Sequence, residues 1–241
     1  MKILTDLHTH TMVSHHVFST LMENIEFGKT QGIELIAMTD HAPAIPDGAH
    51  EWHFLNSRNL PSVVNGVKLL KGAEVNILGK SGEIDLKGFA LECLDLIIAS
   101  IHNPTYADRD AEDHTETWLN VMENPYVDIL GHPGRDNYYF DVEAVTKKAK
   151  EKNICIELNE HTLVKSQKSD DFCREIALAC KRNGTKVVIN SDAHFCTEVG
   201  VYEKVPKMLE EIDFPEELIM NTNASRFIKY LEEKRNKKYN F

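Results

Sequence analysis

Lys2-Ile3-Leu4-Thr5-Asp6-Leu7-His8-Thr9-His10 is a short aliphatic run that ends in two histidines spaced by one residue. Side chains alternate across a strand, so His8 and His10 point the same way. Six further β-branched or aliphatic runs follow, at 35–39, 67–75, 94–100, 126–130, 154–158 and 186–189. Helix-length amphipathic stretches lie between most of them, at 20–31, 115–124, 142–152 and 169–183, and Gly32 and Gly184 supply stops for two. Strands alternating with helices allow an open doubly wound sheet or a closed barrel. The polar residues decide between the two. Thr39-Asp40-His41 ends the second run, Gly72-Ala73-Glu74 falls in the third, and Ile101-His102-Asn103 ends the fourth. Gly131-His132-Pro133-Gly134 ends the fifth, and Ser191-Asp192-Ala193-His194 closes the seventh. An open sheet gathers its site at one or two loops, whereas a ring of strands brings every carboxyl end to one rim. The expectation is an α/β fold, a distorted seven-stranded TIM-like barrel, since no eighth run is convincing.

The whole chain, 1–241, reads as one domain, with a β-hairpin insertion turning at Gly79-Lys80-Ser81-Gly82. Of its 241 residues 42% are apolar and 27% charged, the composition of a globular protein. Lys and Arg total 27 against 38 Asp and Glu, a net charge of −11, which argues against a stable nucleic-acid partner. The basic run Lys234-Arg235-Asn236-Lys237-Lys238 is read as a solvated helix end. After Met1 only Ile3 and Leu4 are apolar before Asp6, and the longest apolar segment, 94–101, contains Asp95 and Ser100. Neither a secretory leader nor a membrane span is expected, and the expected location is cytoplasmic. Five cysteines without a C-x-x-C pair suit reduced structural thiols, with Cys196 the one beside the expected site.

A rim bearing imidazoles and two carboxylates is the donor set of a multinuclear transition-metal site rather than a calcium or magnesium cage. His15 and His16 are adjacent, so their side chains diverge and at most one is a ligand. His114 and His161 are read as surface residues. His50 and His53, flanking Trp52, are read as a substrate wall or a proton source, and Arg135 as either a bidentate phosphate clamp or a rim salt bridge.

D-L-H-T-H-T, T-D-H, G-A-E, I-H-N, G-H-P-G and S-D-A-H, in this order and covering essentially the whole chain, resemble the polymerase and histidinol phosphatase (PHP) family. The segments S-H-H-V-F-S-T, E-W-H-F, S-G-E-I-D and L-D-L-I-I-A-S-I-H are similar to its small stand-alone bacterial phosphatases of the YcdX type. The resemblance implies a PHP-fold barrel with a trinuclear zinc site. One ion would take His8, His10, Glu74 and Asp192; a second, bridged by Glu74, would add His102 and His132; a third would take His16, His41 and His194. Manganese and iron suit the same donors, so the metal is open among the three. Three divalent ions against two carboxylates leave about +4 in the pocket, which suits a phosphate dianion. The implied function is a hydrolase of small phosphate monoesters, acting through a hydroxide bridging two metals. Glu74, Asp192, Arg135 and His53 are the candidate catalytic residues, with His50, His53 or a metal-bound water as the source of the leaving-group proton. The subgroup resemblance also implies a homotrimer. Two alternatives remain: a TatD-like metal-dependent nuclease or phosphodiesterase, and a non-catalytic metal-stabilised interaction module. The third-ion set and the complete ligand set favour the phosphatase.

Overall fold

Seven parallel strands follow one another around a ring in chain order in the computed structural model, which describes residues 1–106, 110–135, 137–165 and 167–241. They are β1 (Thr5–Thr9), β2 (Leu35–Met38), β4 (Val67–Asn76), β5 (Leu96–Ser100), β6 (Ile129–Leu130), β7 (Cys155–Asn159) and β8 (Val187–Asn190). The two-residue β3 (Val63–Val64) pairs antiparallel with the start of β4 through an Asn65-Gly66 turn, both residues at positive φ as a type I′ hairpin requires. Strand β4 pairs β2 along Lys68–Lys71 and β5 along Gly72–Asn76. Gly72 sits at that changeover, and a Cβ there would come within 2.8 Å of the Leu96 carbonyl. Between β8 and β1 the ring closes on individual bonds at and just beyond the end of β8. Asp192 N donates to His8 O at 3.0 Å, His10 N to Ala193 O at 3.0 Å, and Leu7 N to Asn190 Oδ1 at 3.1 Å.

Helices α1 (Leu21–Thr30), α4 (Ala111–Val121), α5 (Val142–Glu151), α7 (Gln167–Asn183) and α8 (Lys204–Glu211) accompany the strands, with the short α2 (Glu51–Asn56), α3 (Phe89–Glu92) and α6 (Glu160–Lys165) in the connections. The expected 115–124 helix begins four residues earlier, because Asp110 accepts Asp113 N at 3.0 Å and caps it. The expected insertion at Gly79–Gly82 forms a tight turn with one antiparallel bridge, Ile77 to Ile84. No helix among the described residues is long and apolar enough to cross a membrane.

Strand parity sorts the barrel interior into two layers. Leu7, Leu35, Ala37, Leu70, Leu96, Ile98, Ile129, Cys155 and Val188 fill the lower one. The last helix, α9 (Ala224–Arg235), plugs it from below with Phe227, Tyr230 and Leu231. The basic run at its end is therefore not simply a solvated helix end. The Arg235 guanidinium reaches fully buried Asp128 at 2.5 Å, and Lys237 reaches Asp95 at 3.1 Å, because the plug brings them beneath two buried carboxylates. Further along the same inward positions come Glu74 and Asn76 on β4, Glu157 and Asn159 on β7, and Asn190 on β8, all buried. In β1 three steps, Asp6 to Thr9, span two in β2, Ile36 to Met38. That bulge shifts the parity, so that His8 and His10 face the interior above Leu7.

Candidate metal centre

All nine predicted ligands occupy the carboxyl end of the barrel. Glu74, fully buried, is the hub. Its Oε1 lies 2.7 Å from His132 Nε2, 3.3 Å from His102 Nε2 and 3.4 Å from His8 Nε2, and its Oε2 lies 2.7 Å from His41 Nδ1 and 3.6 Å from His10 Nε2. Asp192 Oδ1 approaches His10 Nε2 at 3.1 Å and His8 Nε2 at 3.4 Å. On the open side His16 Nε2 stands 3.1 Å from His194 Nε2. The His16 and His194 side chains are 41% and 25% exposed, which marks the entrance to an otherwise buried cluster. Of the two adjacent exposed histidines, it is His16 whose ring reaches His194.

Donor atoms fall within 4.8 Å of one another in three overlapping groups: His8, His10 and Glu74; His41, Glu74 and His102; and His10, His41 and His194. Six cluster atoms are buried without an aligned hydrogen bond: His8 Nε2, His10 Nδ1, His41 Nδ1, Glu74 Oε2, His102 Nε2 and Asp192 Oδ2. Leaving such groups unsatisfied costs about 1–3 kcal/mol each. Donors gathered this closely, several of them without an aligned hydrogen bond, fit divalent cations between them, and the mixed nitrogen and oxygen set suits zinc, manganese or iron.

Electrostatics favour the ligand forms. Burial by itself would raise both carboxylates. The imidazoles of His102, His8 and His41 instead hold Glu74 well below the usual range, and His8 with a bond from His10 does the same for Asp192. Burial and the neighbouring His41 push His10 down to about 3, and burial with the Arg135 charge takes His132 to about 4. Both imidazoles are thus neutral at pH 7, as a metal ligand must be. His8 and His41 are the exceptions: burial pulls both down, but Glu157, Asp192 and Glu74 outweigh it at His8 and raise it well above its ordinary value, and Glu74 with Asp192 outweighs it at His41 and raises that imidazole too.

The predicted ligands are oriented by partners that lie outside the sequence motifs. His8 Nδ1 donates to Glu157 at 2.8 Å. His102 Nδ1 donates to Asn76 Oδ1 at 2.8 Å, and Asn76 Nδ2 donates to Asp85 at 2.7 Å, so the loop after β4 holds the His102 ring through Asn76. His16 Nδ1 pairs with Asp47 at 2.5 Å, and His194 Nδ1 donates to Asp192 O at 2.8 Å. Strand parity was the available signal for Asn76 and Glu157; Asp47 and Asp85 lie in loops and had none.

Arg135 Nη2 lies 3.7 Å from Asp192 Oδ2, and its buried Nε has no hydrogen-bond partner. His53 Nε2 lies 3.1 Å from buried Asp40, whereas His50 caps α2 by accepting Trp52 N at 3.1 Å. Two histidines read as surface residues are placed otherwise. His114 is buried on the inner side of α4, its Nδ1 2.9 Å from Tyr139 O, and half-buried His161 stacks on His194 with ring centres 5.9 Å apart. Cys196 is half-buried in a short turn after His194, and all five thiols are free.

A nearly closed parallel β/α barrel with histidines and carboxylates converging at its carboxyl rim has the architecture of the barrel metallohydrolases. No family model matches the chain. It is 42% identical over 235 residues to a probable phosphatase of Acetivibrio thermocellus, covering 98% of both chains. It is 43% identical to one of Clostridium acetobutylicum, over 97% of this chain and 96% of that one. The chain belongs to this family of probable phosphatases. Its fold is shared with the Lactococcus lactis histidinol phosphate phosphatase solved with zinc, L-histidinol and phosphate, at a TM-score of 0.64 and 15% identity over 89% of this chain and 95% of that one.

Proposed function

We propose that this protein is a metal-dependent phosphatase, of the YcdX type within the PHP enzymes, that hydrolyses small phosphate monoesters at a trinuclear site. The observation that carries the reading is the clustering of histidine and carboxylate donors around Glu74, with one buried atom lacking an aligned hydrogen bond on each of six residues: His8, His10, His41, Glu74, His102 and Asp192. His8, His10, Glu74 and Asp192 would hold one ion, Glu74, His102 and His132 a second, and His16, His41 and His194 a third. Zinc, manganese or iron bound there supplies an acidified water and offsets the charge that develops on the phosphoryl oxygens. Glu74 and Asp192 hold the only carboxylate charges in the ligand set, so a pocket loaded with ions stays positive towards a phosphate dianion. Arg135, with one buried N–H unpaired beside Asp192, is placed to bind a phosphate oxygen from the rim. His53, held by Asp40, is the side chain assigned to protonate the leaving oxygen.

The test is metal quantification followed by a phosphate-release screen over aryl and sugar phosphates, nucleotides and short oligonucleotides. The expected result is phosphate release that a chelator abolishes and zinc or manganese restores. Fewer than two transition-metal ions per fully loaded chain would sink the multinuclear reading, and cleavage of oligonucleotides without monoester hydrolysis would turn it to the nuclease.

A further inference from the structure

We infer that Glu157 is a positioning residue that ties two of the proposed metal subsites together, an inference that rests on the ligand assignment above. Glu157 sits on β7 one inward position above Cys155 and is 2% exposed. Its Oε1 accepts from His8 Nδ1 at 2.8 Å and Asn190 Nδ2 at 2.7 Å. Its Oε2 accepts from the main-chain N of His132 at 2.7 Å and Asn159 Nδ2 at 3.1 Å. Four donors use the whole acceptor capacity of a carboxylate.

Two of those bonds act on ligands. With Nδ1–H given to Glu157, the lone pair of His8 is on Nε2, the atom that faces Glu74 and Asp192 at 3.4 Å each. His132 has φ +32°, a backbone that side-chain-bearing residues rarely adopt, and its N–H is fixed by the other carboxylate oxygen. Its Nε2 is thereby aimed at Glu74, 2.7 Å away. One carboxylate thus sets the donor nitrogen of a residue assigned to the first ion and the main-chain conformation of a residue assigned to the second. None of its bonds reaches His16, His41 or His194.

The experiment titrates metal-free protein with cobalt(II), following visible absorption and bound metal by atomic emission, for the wild type, Glu157→Gln, Glu157→Asp and Glu74→Gln, with melting of each metal-free form. Glutamine keeps the shape but turns an N–H towards donors, so two ions should weaken about 10–100-fold. The ion of the His16, His41 and His194 set should bind as in the wild type. Equal weakening of all ions, or unaltered binding beside a lowered melting temperature, would show a purely structural buried hub and overturn the inference. Should the glutamine variant fail to fold without metal, Glu157→Asp keeps the charge and withdraws it by one methylene; it should weaken the same two ions, and uniform weakening overturns the inference equally. Glu74→Gln separates the two levels. If it binds cobalt like the wild type, the ligand assignment itself falls; if it loses ions while Glu157→Gln does not, only the role of Glu157 falls.

Discussion

Stripping the metal should lower the melting temperature by a predictable amount. Six buried donor atoms at the rim have no aligned partner. At about 1–3 kcal/mol each, a dry and empty cluster would cost on the order of 6–18 kcal/mol, as much as the entire stability of an ordinary domain. Water entering past the exposed His16 and His194 side chains relieves part of that cost, so mass action gives the better figure. An ion held at a thousand times its Kd stabilises the folded state by about 4 kcal/mol. For a chain of this length each kcal/mol moves the midpoint by about 2–4 °C. Removal of one ion should therefore lower it by roughly 8–16 °C, with a smaller further drop for each weaker site. The assay is differential scanning calorimetry of metal-loaded and chelator-dialysed protein, followed by stepwise addition of zinc or manganese. A midpoint that stays within about 2 °C while atomic emission shows the metal gone would refute the argument, since the orphaned atoms would then be satisfied by something other than an ion.

Glu74→Gln should abolish chelator-sensitive phosphatase activity and release more than one ion together, because Glu74 approaches five imidazoles; loss of a single ion would contradict bridging. Arg135→Met should weaken inhibition by inorganic phosphate about 10–100-fold, the worth of a hydrogen bond to a charged group, and unaltered inhibition would leave Arg135 as a rim partner of Asp192. At the other end of the barrel, Arg235→Ala should cost about 3–5 kcal/mol in a urea titration, because it strands buried Asp128, whereas Lys237→Ala, at a half-exposed pair, should cost less than about 1 kcal/mol. Gly66→Ala should destabilise by about 1 kcal/mol through backbone strain at φ +84°, since a Cβ there meets nothing within 4 Å.

The architecture was legible because metal-ligand residue types closed almost every aliphatic run, and only a ring of strands brings so many carboxyl ends together. What the pattern could not carry was the parity of β1. His8 and His10 share a face in any strand, but whether that face is the barrel interior depends on a bulge whose extra residue shows only against β2. Two misread histidines have the same origin: His114 and His161 lie in polar surroundings along the chain, and their burial is made by loops folded over them from elsewhere. The Asn65-Gly66 hairpin, by contrast, carried a strong local signal that the strand count passed over. The terminal basic run misled because composition alone cannot show that Asp128 lies beneath it.

Division of the barrel interior explains how one small fold tolerates so polar a centre. The lower layer is aliphatic and sealed by α9, so it supplies cohesion without any contribution from the rim. The upper layer is spent on histidines and carboxylates that bond poorly to one another, and two rim residues there, His132 at φ +32° and Asp192 at φ +59°, hold left-handed backbone without being glycine. Such strain persists only where surrounding bonds over-determine it. Asp192 N is tied to His8 O and His132 N to Glu157, each bond joining neighbouring strands of the ring. The bond that closes the barrel between β8 and β1 therefore also fixes the main chain of Asp192, one of the proposed ligands. A substitution that relaxes the rim, such as Asp192→Gly, should accordingly leave the aliphatic plug folded while the capacity for metal is lost. Urea stability close to that of the metal-free wild type, with defective metal binding, is the expected outcome, and a variant much less stable than the metal-free wild type would show that the two layers fold as one.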